Sequence, residues 1–262
     1  MTALKPDTAL EDIRREIDAI DDAILDLVIR RFETTAKVRA SKSNDGSLAT
    51  SPLRPAREAL ILRRLIARGS GRIDPQLLVR LWRVILSASS QAQAPITIHV
   101  ERALVGKTDQ HLAIAEHFRG MSLEAHGGLA GVFAAIAEHS GDLAVVATGS
   151  PWVETFLKAA DHGARLIASL PMIGESGVPQ LLIFGHAEPQ PSGHDETVML
   201  SRGKSAADAA VPVRWQAICH GWTVTSLPGF LAADAPAVTA FLSHQQEAQI
   251  AGRFPSPIEV SS

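Results

Sequence analysis

Arg14, Arg31 and Lys42 are the residues whose type and spacing first suggest chemistry in this chain. Leu10, Ile13, Ile17, Ile20, Ile24 and Leu27 recur at alternating steps of three and four, the stripe of a helix packed against other helices. The next step of four lands on Arg31. A guanidinium on such a position is costly unless an anion meets it. Lys42 follows three helical turns later on the same face, about 16 Å along the axis, so both long side chains can converge on one small anion. Arg14 precedes Arg31 by about 25 Å of helix. One small ligand cannot touch both from the same helix, but in an antiparallel dimer Arg14 of one chain approaches Arg31 of the other. The same charges also read as solvated groups on apolar stems, with Asp26 or Glu33 as neighbours of Arg31.

Further along, SASSQAQ places Ser89 and Gln93 four residues apart, on one side of a helix. They follow Leu81 and Ile85 around that side, so they are expected to point inward, where a ligand could satisfy them. A fraying helix end is the plainer reading. Arg57 and Glu58, in RPARE, sit in the first turn of another helix and read equally as surface residues.

These groups need elements to position them. Residues 7–42 are predicted to form one helix, capped by Asp7 or Thr8, with Glu11 completing a capping box, and broken by Ser43–Ser47. Such a rod measures roughly 54 Å, too long to bury its stripe inside a small monomer, and a second copy of the chain is the simplest partner. A second helix spans Pro55–Arg68 and stops at Gly69 and Gly71. Asp74 and Pro75 open a third, with Leu78, Leu81, Ile85 and Ala88 as its apolar face, ending at Ala94–Pro95. Residues 1–95 therefore read as an all-α three-helix module. From residue 96 the pattern changes. ITIHV, DLAVVAT, RLIASLPMI, QLLIFGH, ETVMLS and VRWQAICHG read as strands, with helices near Asp109–His117, Leu129–His139 and Pro151–Ala160. Residues 96–262 are thus expected to form an α/β module with a largely parallel sheet. The closing PSPIEVSS is expected to be loosely held.

Composition supports a division into two modules. The chain has 262 residues, of which 46% are hydrophobic, enough for sizeable cores. Its net charge of −3 divides into about +4 over residues 1–95 and about −7 over the remainder, and all 10 histidines follow residue 95. A basic first module suits a small dianion. Nucleic acid is not expected, because clustered Lys/Arg runs and interleaved aromatics are lacking. A single cysteine, Cys219, excludes an internal disulfide framework and a cysteine zinc cluster. The histidines show neither His-x-His nor His-Glu-x-x-His spacing, so no metal and no cofactor are expected. Without an eighteen-residue apolar run or the apolar core of a signal peptide, the protein is expected to be cytoplasmic and free of the membrane.

LEDIRREIDAIDDAILDLVIRRFE, the lysine at the end of the long helix, RPAREALILRRL and LVRLWRVILSASSQAQ together resemble the all-α chorismate mutases of aromatic amino-acid biosynthesis. The resemblance covers the whole first module. It implies an isomerase, working as an intertwined homodimer, that converts chorismate to prephenate without a cofactor. It also implies roles. Arg14 would be donated across the dimer, Arg31 would bind a carboxylate, and Lys42 and Gln93 would face the ether oxygen. Arg57, Glu58 and Ser89 would complete the pocket, with Glu58 accepting from the substrate hydroxyl. The sequence departs from the family at Arg54, where an acidic residue is frequent. That extra charge could help bind a carboxylate or narrow the choice of substrate.

The second module is similar to prephenate dehydratase and periplasmic-binding-protein domains across HLAIAEHFRGMSLEAHGGLAGVFAAIAEHSGDLAVVATGS and SGHDETVMLS. The dehydratases carry a Thr-Arg-Phe triplet that this chain lacks. Its Arg253–Phe254 follows Gly252. The expectation is a module without dehydratase activity that binds a small-molecule effector, regulates, or supports the dimer. Two alternatives stand beside the mutase reading: a non-catalytic ligand-binding or regulatory protein with a retired mutase pocket, and a bifunctional mutase–dehydratase.

Overall fold

The computed structural model describes residues 6–44, 52–175, 177–203, 211–245 and 247–260, with side chains over 9–37 in the first of these segments. Two compact units result, Met1–Ser47 and Leu48–Ser262.

The described residues of the first unit form one helix, α1 (Pro6–Asn44). Its apolar stripe is solvent-facing: Leu10, Ile13, Ile17, Ile20, Ile24 and Leu27 are between 46% and 65% exposed. At 1.5 Å per residue, its 39 residues extend about 58 Å. The helix runs two residues past the expected end, through Ser43 and Asn44, and the rest of the expected break, 45–47, lies outside the described residues, as do the side chains of the expected capping box at Asp7 and Thr8.

The second unit begins with α2 (Pro55–Gly69) and α3 (Pro75–Gln91), each with proline in its first turn. Asp74 caps α3 as expected, accepting from the Leu77 N–H at 2.8 Å. The inward face of α3 differs from the expected one. Leu78, Val79, Arg83, Leu86, Ser87, Ser89 and Ser90 are buried, whereas Leu81 is 48% exposed. Hydrophobic periodicity pointed to Leu81, Ile85 and Ala88. The helix instead turns its Arg83–Ser87 side inward, because both polar side chains find partners there. Leu77, Leu81 and Val84 are left as a second, open apolar ridge.

The α/β part contains β1 (Thr97–Glu101), α4 (Arg102–Val105), α5 (Thr108–His117), β2 (Ser122–His126), α6 (Leu129–Glu138), β3 (Leu143–Ala147), α7 (Val153–Ala160) and β4 (Arg165–Leu170). It continues with β5 (Leu181–Gly185), β6 (Asp195–Arg202), β7 (Trp215–Cys219), β8 (Trp222–Pro228), α8 (Pro236–His244) and β9 (Gln249–Pro255). The nine strands form one sheet in the order β2-β1-β3-β5-β4-β9-β6-β8-β7.

This sheet is mixed, which corrects the expectation of a largely parallel one. Among the described strands, only β1–β2, β1–β3 and β4–β9 pair in parallel. The pairs β3–β5, β4–β5, β6–β8, β6–β9 and β7–β8 are antiparallel. A parallel pair needs a long crossover, and the chain supplies one between β1 and β2, built from α4 and α5. Between β7 and β8 it supplies only His220–Gly221. Both have positive φ, 45° and 86°, the backbone of a tight hairpin turn.

The alternation of side chains fills both faces. Ala144, Val146, Leu166, Phe184, Val198 and Leu200 pack with Phe133, Trp152 and Phe156 from α6 and α7. Ile98, Val100, Leu143, Val145 and Ile183 pack on the other face with Ile114 and Phe118 of α5, and with Leu53 just before α2. Leu62, Val79 and Leu86 of α2 and α3 cluster with Ile258. Compactness thus separates the chain near residue 47, whereas the change in sequence pattern lies near residue 95. The reason is that α2 and α3 bury their inner faces within the α/β unit. Arg63 of α2 reinforces this by donating to Ser192 Oγ at 2.9 Å, to the His194 carbonyl at 3.0 Å and to the Ser256 carbonyl at 2.9 Å. The C-terminal segment is not loose through Ile258. That residue is buried, and its N–H donates to the Met172 carbonyl at 2.7 Å.

Candidate functional site

Arg14, Arg31 and Lys42 lie on α1, and Arg54, Arg57, Glu58, Ser89 and Gln93 lie in the second unit. Arg14 is exposed and Arg31 is half-buried. They are seventeen residues apart on one continuous helix, about 25 Å, so a single α1 does not bring them together. Thr35 Oγ1 donates to the Arg31 carbonyl at 3.0 Å, one turn later. The side chain of Lys42 lies outside the described residues.

On α2, Arg57 is exposed and Arg54, the residue just before the helix, is half-buried. Glu58, expected to meet a ligand hydroxyl, lies in the interior. It is 6% exposed, and its carboxylate accepts from the buried Arg83 guanidinium of α3. Arg83 also donates to the His117 carbonyl through Nε at 3.4 Å and its other terminal nitrogen at 3.1 Å, and Ser87 Oγ donates to that same carbonyl at 3.2 Å. One buried cluster therefore joins α2, α3 and the end of α5. A charge in such a place needs its partners, and Glu58 supplies the opposite one. Burial, and next the Arg83 charge, hold the His117 imidazole well below its ordinary pKa.

Ser89 and Gln93 do come together. Ser89 is buried, and its Oγ donates to the Ile85 carbonyl at 2.6 Å. Gln93 lies in the turn after α3, beyond the helix end at Gln91, yet its Nε2 donates to the Ser89 carbonyl at 3.2 Å. A cleft of about 230 Å³ opens beside the Arg83 cluster, lined in part by Gln76, Arg80, Glu116, His117 and Met172. Its lining includes none of the eight expected residues. Both of its arginines are already paired, Arg80 with Glu116 at 2.6 Å and Arg83 with Glu58.

Residues 13–94 match the chorismate mutase type II family. This agrees with the resemblance read from the first module, and the matched segment holds all eight residues expected for the site. A bifunctional chorismate mutase/prephenate dehydratase of Stutzerimonas stutzeri is 30% identical over 91 residues, 34% of this chain and 25% of that protein. The chain thus spans about a quarter of the length of the curated relatives it matches. Among solved structures, one described as GqqA, a novel type of quorum quenching acylases, is 17% identical with a TM-score of 0.41, over 61% of this chain and 94% of its own. The prephenate dehydratase of Staphylococcus aureus subsp. aureus Mu50 is 9% identical with a TM-score of 0.38, over 60% of this chain and 99% of its own.

The sequence reading missed two buried groups in or near residues 13–94, Arg83 and His117. In VRLWRVIL, Arg83 reads as an ordinary helical charge. Its distance of three and four from Arg80 and Val79 gave no sign that Glu58 lay opposite. The structure also gathers His99, Glu124 and His126, although their spacing in sequence matches no metal motif.

Proposed function

We propose that this protein catalyses the intramolecular rearrangement of chorismate to prephenate. The observation that carries the proposal is the match of residues 13–94 to the chorismate mutase type II family. The chemistry suits the residues at hand. The reaction is concerted within one molecule and uses no nucleophile. The protein must hold a dianion in a compact chair-like conformer and stabilise negative charge that grows on the ether oxygen. Forked guanidinium donors of Arg14 and Arg31 complement the two carboxylates. Lys42 and the Gln93 amide complement the ether oxygen, and a glutamine donates there without first taking up a proton. Arg57, Arg54 and Ser89 frame the pocket. Glu58 acts one step back, holding Arg83 and with it the junction of α2 and α3.

In this proposal the active species is a homodimer. Its support is the exposed apolar stripe of α1 together with the open Leu77, Leu81 and Val84 ridge of α3. Each site then combines Arg31 of one chain with Arg14 of the other. We read the protein as a soluble cytoplasmic enzyme. Among the described residues, no helix is long and apolar enough to cross a membrane.

Dehydratase activity is not part of the proposal. Phe254 is 1% exposed within the core, and the Arg253 guanidinium donates to the Leu231 carbonyl and stacks over Phe230 at 5.6 Å. Both residues are engaged in the fold. Loss of chorismate absorbance, followed with the purified full chain, tests the mutase reading. Turnover well above the uncatalysed rate is expected, and no turnover would overturn it.

A further inference from the structure

We propose that strands β1 and β2 carry a binding site for a divalent transition ion of the zinc class, with His99, His126 and Glu124 as its ligands. The site follows from strand geometry. Parallel pairing sets His99 directly beside Glu124, and Glu101 beside His126. Residues two apart on a strand share a face, so Glu124 and His126 point the same way, toward the side where His99 lies. His99 Nδ1 is 2.9 Å from His126 Nε2. Glu124 Oε2 lies 3.8 Å from His99 Nδ1, and its Oε1 lies 3.8 Å from His126 Nε2.

A tetrahedral zinc with bonds of about 2.0–2.1 Å keeps its ligand atoms roughly 3.4 Å apart. The three observed separations straddle that value, and small rotations of the exposed Glu124 side chain and of the part-exposed His126 ring reach it. Two imidazoles and a carboxylate suit zinc and its first-row neighbours, and are a poor set for calcium or magnesium, which take oxygen ligands.

The surroundings support ligation beyond simple proximity. His99 is buried, and its Nε2 faces Asp142 Oδ2 at 3.2 Å. Asp142 is itself anchored, its Oδ1 accepting from the Thr97 N–H at 2.8 Å. With the Nε2 proton directed to Asp142, Nδ1 keeps its lone pair toward Glu124 and His126. A carboxylate behind a ligating histidine is the arrangement that fixes the ring and raises its basicity in metal sites. On the far side, α6 approaches so closely that a Cβ on Gly131 would lie 3.2 Å from His126 Nδ1. Gly131 thus lets α6 hold the second ring with Nε2 aimed at His99. The Glu124 side chain is 61% exposed, so the fourth coordination position opens to solvent and can take water or a ligand oxygen.

The test is titration of the purified, chelator-stripped full chain with cobalt(II) chloride, followed by zinc chloride. One equivalent of cobalt is expected to give the visible bands of a low-coordinate ion, and one equivalent of zinc to abolish them. Glu124→Gln and His126→Gln are each expected to weaken zinc binding at least tenfold, and Asp142→Asn by about 10–100-fold. The exposed His139→Gln is expected to bind as the native chain does. Circular dichroism of the metal-free proteins reports whether each variant is folded. Glu124 lies exposed on an edge strand, so Glu124→Gln keeps the test valid even if the others unfold. Absence of one-to-one binding by the native chain, or equal affinity in folded Glu124→Gln, would overturn the proposal.

Discussion

The buried Glu58 carboxylate of α2 accepts from the Arg83 guanidinium of α3, and Arg83 in turn holds the carbonyl of His117 at the end of α5. Opposite charges removed from water tolerate each other far better than either tolerates solitude. Arg83→Met in an otherwise native chain is therefore expected to cost about 3–5 kcal/mol of stability, because Glu58 is left buried without its cation. The double variant Glu58→Leu/Arg83→Met is expected to recover much of that loss. Urea denaturation of the two single variants and the double variant measures the coupling. Strict additivity would contradict a buried pair.

His117 makes stability depend on acidity. Its imidazole is held neutral by burial and by Arg83, so its folded pKa lies below the unfolded value of about 6.5. Between those two values the unfolded chain binds a proton that the folded chain excludes. Stability is therefore complete above about pH 6.5 and declines as pH falls, by at most about 1.4 kcal/mol per pH unit for this one proton, until the folded value is passed. Chemical denaturation across this range is expected to show the decline in the native chain and a shallower one in His117→Gln.

Gly252 closes the parallel contact between β4 and β9, opposite Leu166. A Cβ there would stand 1.9 Å from the Leu166 carbonyl oxygen, a backbone atom that cannot swing aside. Gly252→Ala is expected to cost about 3 kcal/mol or more, because the strands must part. At Gly185 the nearest atoms are side-chain methyls of Leu143 and Ile167, at 2.9 and 3.2 Å. Gly185→Ala is expected to cost less, about 1–2 kcal/mol. Thermal or urea unfolding of both variants decides the order.

Shared sites have a direct signature. Arg14→Ala and Arg31→Ala are each expected to be inactive alone. Mixed in equal amounts with free subunit exchange, they should recover about a quarter of native activity, since half of the dimers then hold one intact site. No recovery after demonstrated exchange would count against sites built from two chains.

Gln93 and Lys42 are expected to act on the transition state. Gln93→Ala should lower kcat by about 10²–10³-fold, corresponding to roughly 2.7–4 kcal/mol, with little change in KM. Steady-state kinetics separates this from a loss of ground-state binding, which would raise KM alone.

Much of the architecture was legible before any coordinates. The stripe of α1, the Asp74 cap of α3, and the strands around Val100, Val145 and Ile183 declare themselves through period and turn chemistry. What escaped depends on neighbours that periodicity cannot name. β2 is exposed along most of its length, so it carries no apolar alternation. The inward side of α3 is set by Glu58 and the His117 carbonyl, and those partners lie 25 and 34 residues away. Parallel register, invisible in spacing, brings His99 to His126. The residues expected for the site lie on α1, on α2 or just before it, and on α3 or in the turn after it. The Glu58–Arg83 pair was not legible, because a carboxylate beside an arginine looks the same in sequence whether it awaits a ligand or a buried cation.

Arg63 joins α2 to Ser192, His194 and Ser256 in the last third of the chain. The borders of family similarity and of folding therefore differ in this protein. The segment that matches a known family ends at residue 94, yet its last two helices pack against Ile258, far beyond it. A cut at that border would leave α2 and α3 without the surface that covers their inner faces.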